Sequence, residues 1–159
     1  MSDKYSISEI VKFAIEIEKE GYLFYQDMVN KTENDELKSL FDFLKTEEKK
    51  HQEKFENLLD FLGADKNEYL FHSENEYIAY IHSYIEDVIF NKSKAKKMLD
   101  ELKNDKDAVD YAIKKEEESI KYYENMKELT SKENVVMIDM IISEEKLHIN
   151  KLMDIKIKL

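Results

Sequence analysis

The sequence predicts an all-α protein, a four-helix bundle built from one helical hairpin used twice, with a long crossover between the copies. Three observations predict it. The 159 residues include no Pro and only two Gly, Gly21 and Gly63, so little in the chain breaks a helix. Apolar residues recur at steps of three and four, the spacing of one helix face. And the pattern of the first sixty-odd residues returns about a hundred residues later.

The first long helix should begin near Ser6, which with Glu9 reads as a capping box. Its stripe is Ile7, Val11, Ala14, Glu18, Gly21, Tyr25 and Met28, so a glutamate occupies a core slot. Glu16 and Glu20 fall off the stripe and read as solvated. The polar stretch Asn30 to Asp35 makes a turn, with Thr32 or Asn34 as the cap of the next helix. That second helix carries Leu37, Phe41, Leu44, Glu48, His51, Phe55, Leu58 and Leu62, and stops at Gly63, a residue suited to the C′ position.

Between 63 and about 104 the pattern changes, and Tyr69, Phe71, Tyr77, Tyr80, Tyr84 and Phe90 crowd into the segment. Tyr77, Ile81, Tyr84 and Val88 have helical spacing, which predicts a short helix near 75–90; a second short helix fits 93–102. So long a connection is a crossover, and it lets the next helix lie parallel to the second. The crossover aromatics read as capping one end of the bundle or a subunit interface. His72 and His82 have no counterpart elsewhere and read as surface or packing residues.

The third long helix starts near Asn104 or Asp105 and carries Val109, Ala112, Glu116, Ser119, Tyr123 and Met126. At an offset of 98 these match the first stripe position by position, with Ser119 standing opposite Gly21. Thr130 and Glu133 read as the next capping box, and the last helix repeats the second at an offset of 97, with Ile138, Ile141, Glu145, His148, Leu152, Ile155 and Leu159 on its stripe. The whole chain, 1–159, reads as one domain, with hairpins at about 6–62 and 105–157.

Each half thus supplies one lone glutamate and one Glu-x-x-His to an apolar interior. The lone Glu precedes the paired Glu by 30 residues in one half and 29 in the other, which puts both at similar depth in a hairpin. Burying one unpaired carboxylate costs on the order of several kcal/mol, so four require cations. Two divalent ions would neutralise Glu18, Glu48, Glu116 and Glu145, and His51 and His148 would give each ion a nitrogen ligand. Oxygen-rich ligation of this kind suits iron or manganese better than a structural zinc. Glu47, Glu117, Glu118 and Glu144 read as solvated. Tyr25 and Tyr123 lie two turns along from the lone glutamates, where they either pack or hydrogen-bond a ligand carboxylate.

Composition excludes other classes. A net charge of −11 disfavours nucleic acid and anionic membranes as partners. With no Cys there is no disulfide and no thiol chemistry. No apolar leader or run of membrane-spanning length is present, so a soluble cytoplasmic protein is expected.

The segments EIEKEGYLFY, LKTEEKKH, IKKEEESIKYY and ISEEKLH resemble the rubrerythrin branch of the ferritin-like superfamily. The resemblance covers both hairpins and all six ligand positions, and implies a ferritin-like bundle with a non-haem di-iron centre that reacts with hydrogen peroxide or dioxygen. It implies Glu48 and Glu145 as bridging ligands and Glu18 and Glu116 as terminal ones. Two departures stand out. Rubrerythrins proper carry a cysteine-ligated, rubredoxin-like iron domain; this chain has no Cys, so its electrons would come from a separate donor such as a rubredoxin-like protein. They also place a further glutamate one turn beyond the third-helix ligand, where this chain has Ser119. The expected function is therefore reduction of peroxide or dioxygen at two iron ions. The alternatives are a non-catalytic metal-binding protein, sequestering or delivering iron or holding manganese or zinc, and a purely structural helical module. A homodimer is expected, and the long crossover would permit exchanged hairpins.

Overall fold

The computed structural model describes residues 6–62, 76–90 and 92–159, apart from the side chains of 89 and 90. Among these residues run six helices: α1 Ile7–Lys31, α2 Asp35–Leu62, α3 Glu76–Phe90, α4 Lys92–Asp100, α5 Asp105–Lys127 and α6 Lys132–Ile157. Both short crossover helices are present. Gly63, Tyr69, Phe71 and His72 lie outside the described residues.

Local chemistry sets the helix ends. Ser6 Oγ accepts the Glu9 backbone N–H at 3.1 Å, while the Glu9 carboxylate meets the Ser6 hydroxyl at 3.3 Å, so half of the reciprocal box is made. Of the two candidate caps for α2, Asn34 takes the role: its Oδ1 accepts the Leu37 N–H at 3.0 Å. Thr32 instead closes α1, accepts from the Asn34 N–H, and donates to Asp105 Oδ1 at 2.9 Å. Asn104 caps α5 through the Asp107 N–H at 2.8 Å. The expected box at Thr130 and Glu133 is not formed. The Thr130 hydroxyl donates to the Lys127 carbonyl at 3.1 Å, closing the end of α5, and α6 starts one residue later behind Ser131, whose side chain makes no capping bond.

The α1–α2 and α5–α6 hairpins are the tightest pairings, and they join through α1 against α5 and α2 against α6. Contacts between the hairpins give the directions. Thr32, at the end of α1, meets Asp105 at the start of α5, and the Tyr122 hydroxyl, late in α5, donates to the Ile10 carbonyl early in α1 at 2.8 Å. Those helices are therefore antiparallel, and α5 is parallel to α2, as the crossover implies. All four long helices close within one chain.

The core is split in two. One apolar cluster holds Val11, Ala14, Phe55, Tyr122, Tyr123, Met126, Ile138 and Ile141 with neighbours; the other holds Tyr25, Met28, Leu37, Phe41, Leu44, Val109, Ala112, Leu152 and Ile155. The polar layer lies between them. The four expected stripes are buried almost throughout; Leu159, beyond the end of α6, is exposed instead.

Two features depart from the sequence reading. The buried face of α3 is Ile78, Ile81 and Ile85, one step round from the expected stripe, because Ile81 and Ile85 enter the core of the first cluster while Tyr80 and Tyr84 pack around its rim. Tyr84 meets Phe13 of α1 and Tyr122 of α5, at ring-centroid distances of 6.0 and 5.5 Å. Tyr122 itself, off the expected stripe of α5, is fully buried because α3 covers that side. α4 has no buried residue.

If α3 is part of the core, Ile81→Ala should destabilise the chain by about 2–5 kcal/mol in chemical denaturation with a single transition. A loss within experimental error would show that α3 does not belong to the cooperative unit.

Candidate metal centre

The six residues singled out by the repeat converge at mid-bundle. Glu18, Glu48, His51, Glu116, Glu145 and His148 are all at most 5% exposed. They fall into two groups that share Glu145: Glu48, Glu116, Glu145 and His148 form one, and Glu18, His51 and Glu145 the other. Within each group, one ligand atom per residue lies within 4.8 Å of the rest. Glu145 spans the centre, its Oε1 2.9 Å from His51 Nδ1 and its Oε2 3.2 Å from His148 Nδ1. Glu48 belongs to one group only, and its carboxyl hydrogen-bonds Glu18.

Geometry explains why the sequence puts these side chains inward. Three-residue spacing places Glu48 and His51, and Glu145 and His148, on one face of α2 and α6. The two imidazoles stack with centroids 5.8 Å apart and planes at 21°. Gly21 serves this arrangement directly. A Cβ at that position would lie 2.7 Å from Glu48 Oε2 and 3.0 Å from its Cδ, so the missing side chain of α1 is the space the carboxyl occupies.

The two halves hold each other's ligands. The Tyr25 hydroxyl of α1 donates to Glu116 Oε1 of α5 at 2.7 Å, and the Tyr123 hydroxyl of α5 donates to Glu18 Oε1 of α1 at 2.7 Å. Of the two roles left open for these tyrosines, hydrogen bonding to a carboxylate is the one observed, and it runs crosswise.

Glu47 and Glu144 correct the sequence reading in a similar way. Their side chains are only 13% and 30% exposed. Glu144 Oε2 lies 3.5 Å from His51 Nε2, and Glu47 Oε1 lies 3.8 Å from His148 Nε2, again across the halves. Each imidazole thus turns Nδ1 to the centre and Nε2 to a carboxylate, an arrangement that fixes the ring of a metal-binding histidine. The signal was present in the Glu-Glu doublet before both histidines, TEEKKH and SEEKLH. Glu117 is exposed, as expected, and Glu118 pairs with Lys115 at 3.3 Å. His82 sits 3.9 Å from Glu86 on α3, away from the centre.

Electrostatics reflect four carboxyl groups crowded together out of water. Burial and the charge of Glu145 raise the Glu18 carboxyl, and burial with Glu18 and Glu145 raises Glu48 well above the usual range. Burial pushes Glu145 up as well, but hydrogen bonds with His148 and His51 overrule it and bring it to about 2. Burial lowers His51, but hydrogen bonds to Glu145 and Glu18 outweigh that and raise it to about 10. Burial and the nearby glutamates keep the Tyr25 and Tyr123 phenols protonated.

Even so, two oxygens remain unsatisfied. Glu18 Oε2 and Glu116 Oε2 are fully buried without a hydrogen-bond partner, which is costly unless something else completes them. They are equivalent atoms of the two lone glutamates, each on the carboxylate whose other oxygen takes a tyrosine hydroxyl. Four buried carboxyl groups, two inward Nδ1 atoms and a symmetric pair of orphaned oxygens fit a pair of cations.

The family model for rubrerythrin matches residues 9–156. The chain belongs to the rubrerythrin family. Among solved structures, that of a protein from Thermotoga maritima assigned as a ferritin-like diiron-carboxylate protein is similar, with a TM-score of 0.69 and 25% identity over 98% of this chain and 97% of that one. No curated protein gives a significant match. The chain thus folds as a ferritin-like bundle, and no helix among the described residues is long and apolar enough to cross a membrane.

Two outcomes follow from this geometry. His51, raised to about 10, holds a proton that a cation must displace, and the upward shifts of the Glu18 and Glu48 carboxyls act in the same sense. Metal binding should therefore release protons and tighten as pH rises from 6.5 toward 10. Calorimetry in buffers of different ionisation enthalpy measures the release, and pH-independent binding without it would contradict the protonated centre. Gly21→Ala should separate stability from binding. Ala favours the helix by up to about 1 kcal/mol, and Glu48 gives way by rotating outward, so the metal-free chain should melt no lower while metal affinity falls about 10–100-fold. Unchanged affinity would mean that Glu48 is not a ligand.

Proposed function

We propose that the centre binds two iron ions and that the protein reduces hydrogen peroxide or dioxygen with electrons from a separate donor. The observation carrying this reading is the matched pair of orphaned oxygens, Glu18 Oε2 and Glu116 Oε2, within a ring of four carboxyl groups and two histidines. Membership of the rubrerythrin family and similarity to a protein assigned as a diiron-carboxylate protein support it.

Two ferrous ions would supply the electrons and the open coordination positions for the oxidant. Glu18 and His51 would hold one ion and Glu48, Glu116 and His148 the other, with Glu145 common to both groups. Glu144 and Glu47 keep each imidazole turned so that Nδ1 faces inward. Tyr123 and Tyr25 pin one oxygen of each lone glutamate and leave the other free to ligate. The two apolar clusters above and below the layer exclude water. Reduction of peroxide to two waters takes two electrons and two protons, and with no cysteine to hold a further iron in the chain, the electrons come from outside.

One observation favours a second reading, metal binding without efficient turnover. Where related enzymes place an additional glutamate, Ser119 turns its hydroxyl to the Lys115 carbonyl at 2.9 Å and offers the centre nothing.

Anaerobic titration of the metal-free chain with Fe(II) should saturate at two ions per chain, and peroxide or air should then produce a near-ultraviolet oxo-ferric band. Glu145→Ala, which removes the residue common to both groups, should abolish the second equivalent. Saturation without oxidation selects the second reading, and no binding overturns both.

A further inference from the structure

The two halves match around the centre but differ in what lies behind their tyrosines. Behind Tyr25 the ring neighbours are phenylalanines, Phe24 at 5.2 Å and Phe41 at 5.8 Å, and Phe24 separates Tyr25 from the next tyrosine, Tyr111. Behind Tyr123 the rings continue as tyrosines. Tyr123 meets Tyr122 at 6.0 Å, Tyr122 meets Tyr84 at 5.5 Å, and Tyr84 stacks on Tyr80 at 6.1 Å with planes at 26°. These centroid distances put neighbouring rings in contact. The inner end is the hydroxyl on Glu18 Oε1. The outer end, with Tyr84 and Tyr80, lines an open cleft of about 940 Å³ between α1, α3, α4 and α5, with Lys121 Nζ 5.0 Å above the Tyr80 ring.

We propose that Tyr80, Tyr84, Tyr122 and Tyr123 form an electron relay that carries reducing equivalents singly from this cleft to the carboxylate–histidine centre. The inference rests on the reading that the centre holds redox-active metal. Phenols are oxidised far more readily than phenyl rings, so a run of touching tyrosines offers stepping stones that the phenylalanines behind Tyr25 do not. With metal bound and oxidised by peroxide, Tyr123 would pass one electron to the centre while its phenolic proton shifts to Glu18 along the 2.7 Å hydrogen bond. Tyr122, Tyr84 and Tyr80 refill the vacancy in turn, and an external one-electron reductant in the cleft refills Tyr80. The proton then returns from Glu18 to Tyr123. The net change would be one electron lost by the reductant and one gained at the peroxide-oxidised centre, with every tyrosine restored. Tyr122 donates its hydroxyl hydrogen to the Ile10 carbonyl, which is too weak a base to take a proton, so Tyr122 transmits the vacancy and does not store it. Tyr123, with a carboxylate beside it, is where the vacancy rests.

The absence of cysteine makes the test direct. Ser83→Cys, on an exposed position of α3 beside Tyr84 and one turn from Tyr80, can carry a single ruthenium polypyridyl label. Flash oxidation of the label, in the full chain with excess redox-inert zinc, injects a vacancy at the outer end. Transient absorption and electron paramagnetic resonance then follow the tyrosyl radical. The expected radical settles on Tyr123, identified by its loss in Tyr123→Phe. Tyr84→Phe and Tyr122→Phe should each slow its arrival at least about tenfold, whereas Tyr111→Phe, at the same cleft but outside the run, should not. Arrival at the parent rate in either of the first two variants, or a radical that never reaches Tyr123 in the parent, overturns the relay. Because no iron is present, this failure is distinct from failure of the iron reading, which the Fe(II) titration decides.

Discussion

Everything in this bundle answers to one constraint: four carboxyl groups and two imidazoles held out of water in the middle of an otherwise apolar core. Hydrogen bonds meet part of that cost, with Glu145 set between the two histidines and tyrosine hydroxyls on the lone glutamates. The two oxygens left over mark where those devices run out. A buried ionic cluster adds little to stability by itself, so a chain that retains this one does so for what the cluster binds. The division of the core into two apolar clusters follows from the same constraint, since each must seal one side of the polar layer.

Much of this was legible in the sequence because it is periodic. Stripes at helical spacing fixed which face of each long helix is buried, and the polar residues within them could be told from the abundant surface glutamates because they recur in register. The crossover was legible in outline, since its length alone sets the direction of α5. What could not be read from periodicity was whatever depends on a partner element. The face of α3 is set by the groove it meets, which moved its buried positions to Ile78, Ile81 and Ile85. Tyr122 lies off the α5 stripe and is buried by contact with α3. Thr130 had two uses available, and the end of α5 took its hydroxyl.

Glu47 and Glu144 are a different case. Their position beside the ligand glutamates turns them off the stripe, and on one helix alone that means solvent. They reach histidines only because α2 and α6 lie side by side, so their role belongs to the pair of hairpins and to neither alone. The same holds for Gly21: its lack of a side chain looks like a weakness within α1 and gains its purpose from Glu48 on α2. Ser119 at the matching position of α5 shows that the two halves no longer answer to identical demands.

The crosswise wiring has a historical consequence. One hairpin contains three of the six inward polar residues, yet the hydroxyl on its lone glutamate and the carboxylate facing its histidine Nε2 come from the other hairpin. An ancestral unit of one hairpin could have formed this centre only by pairing with a copy of itself, as a symmetric dimer with the centre on its axis. Fusing two copies through α3 and α4 removed the need to find a partner. It also freed each half to change alone, and the unequal surroundings of Tyr25 and Tyr123 record how far that divergence has gone.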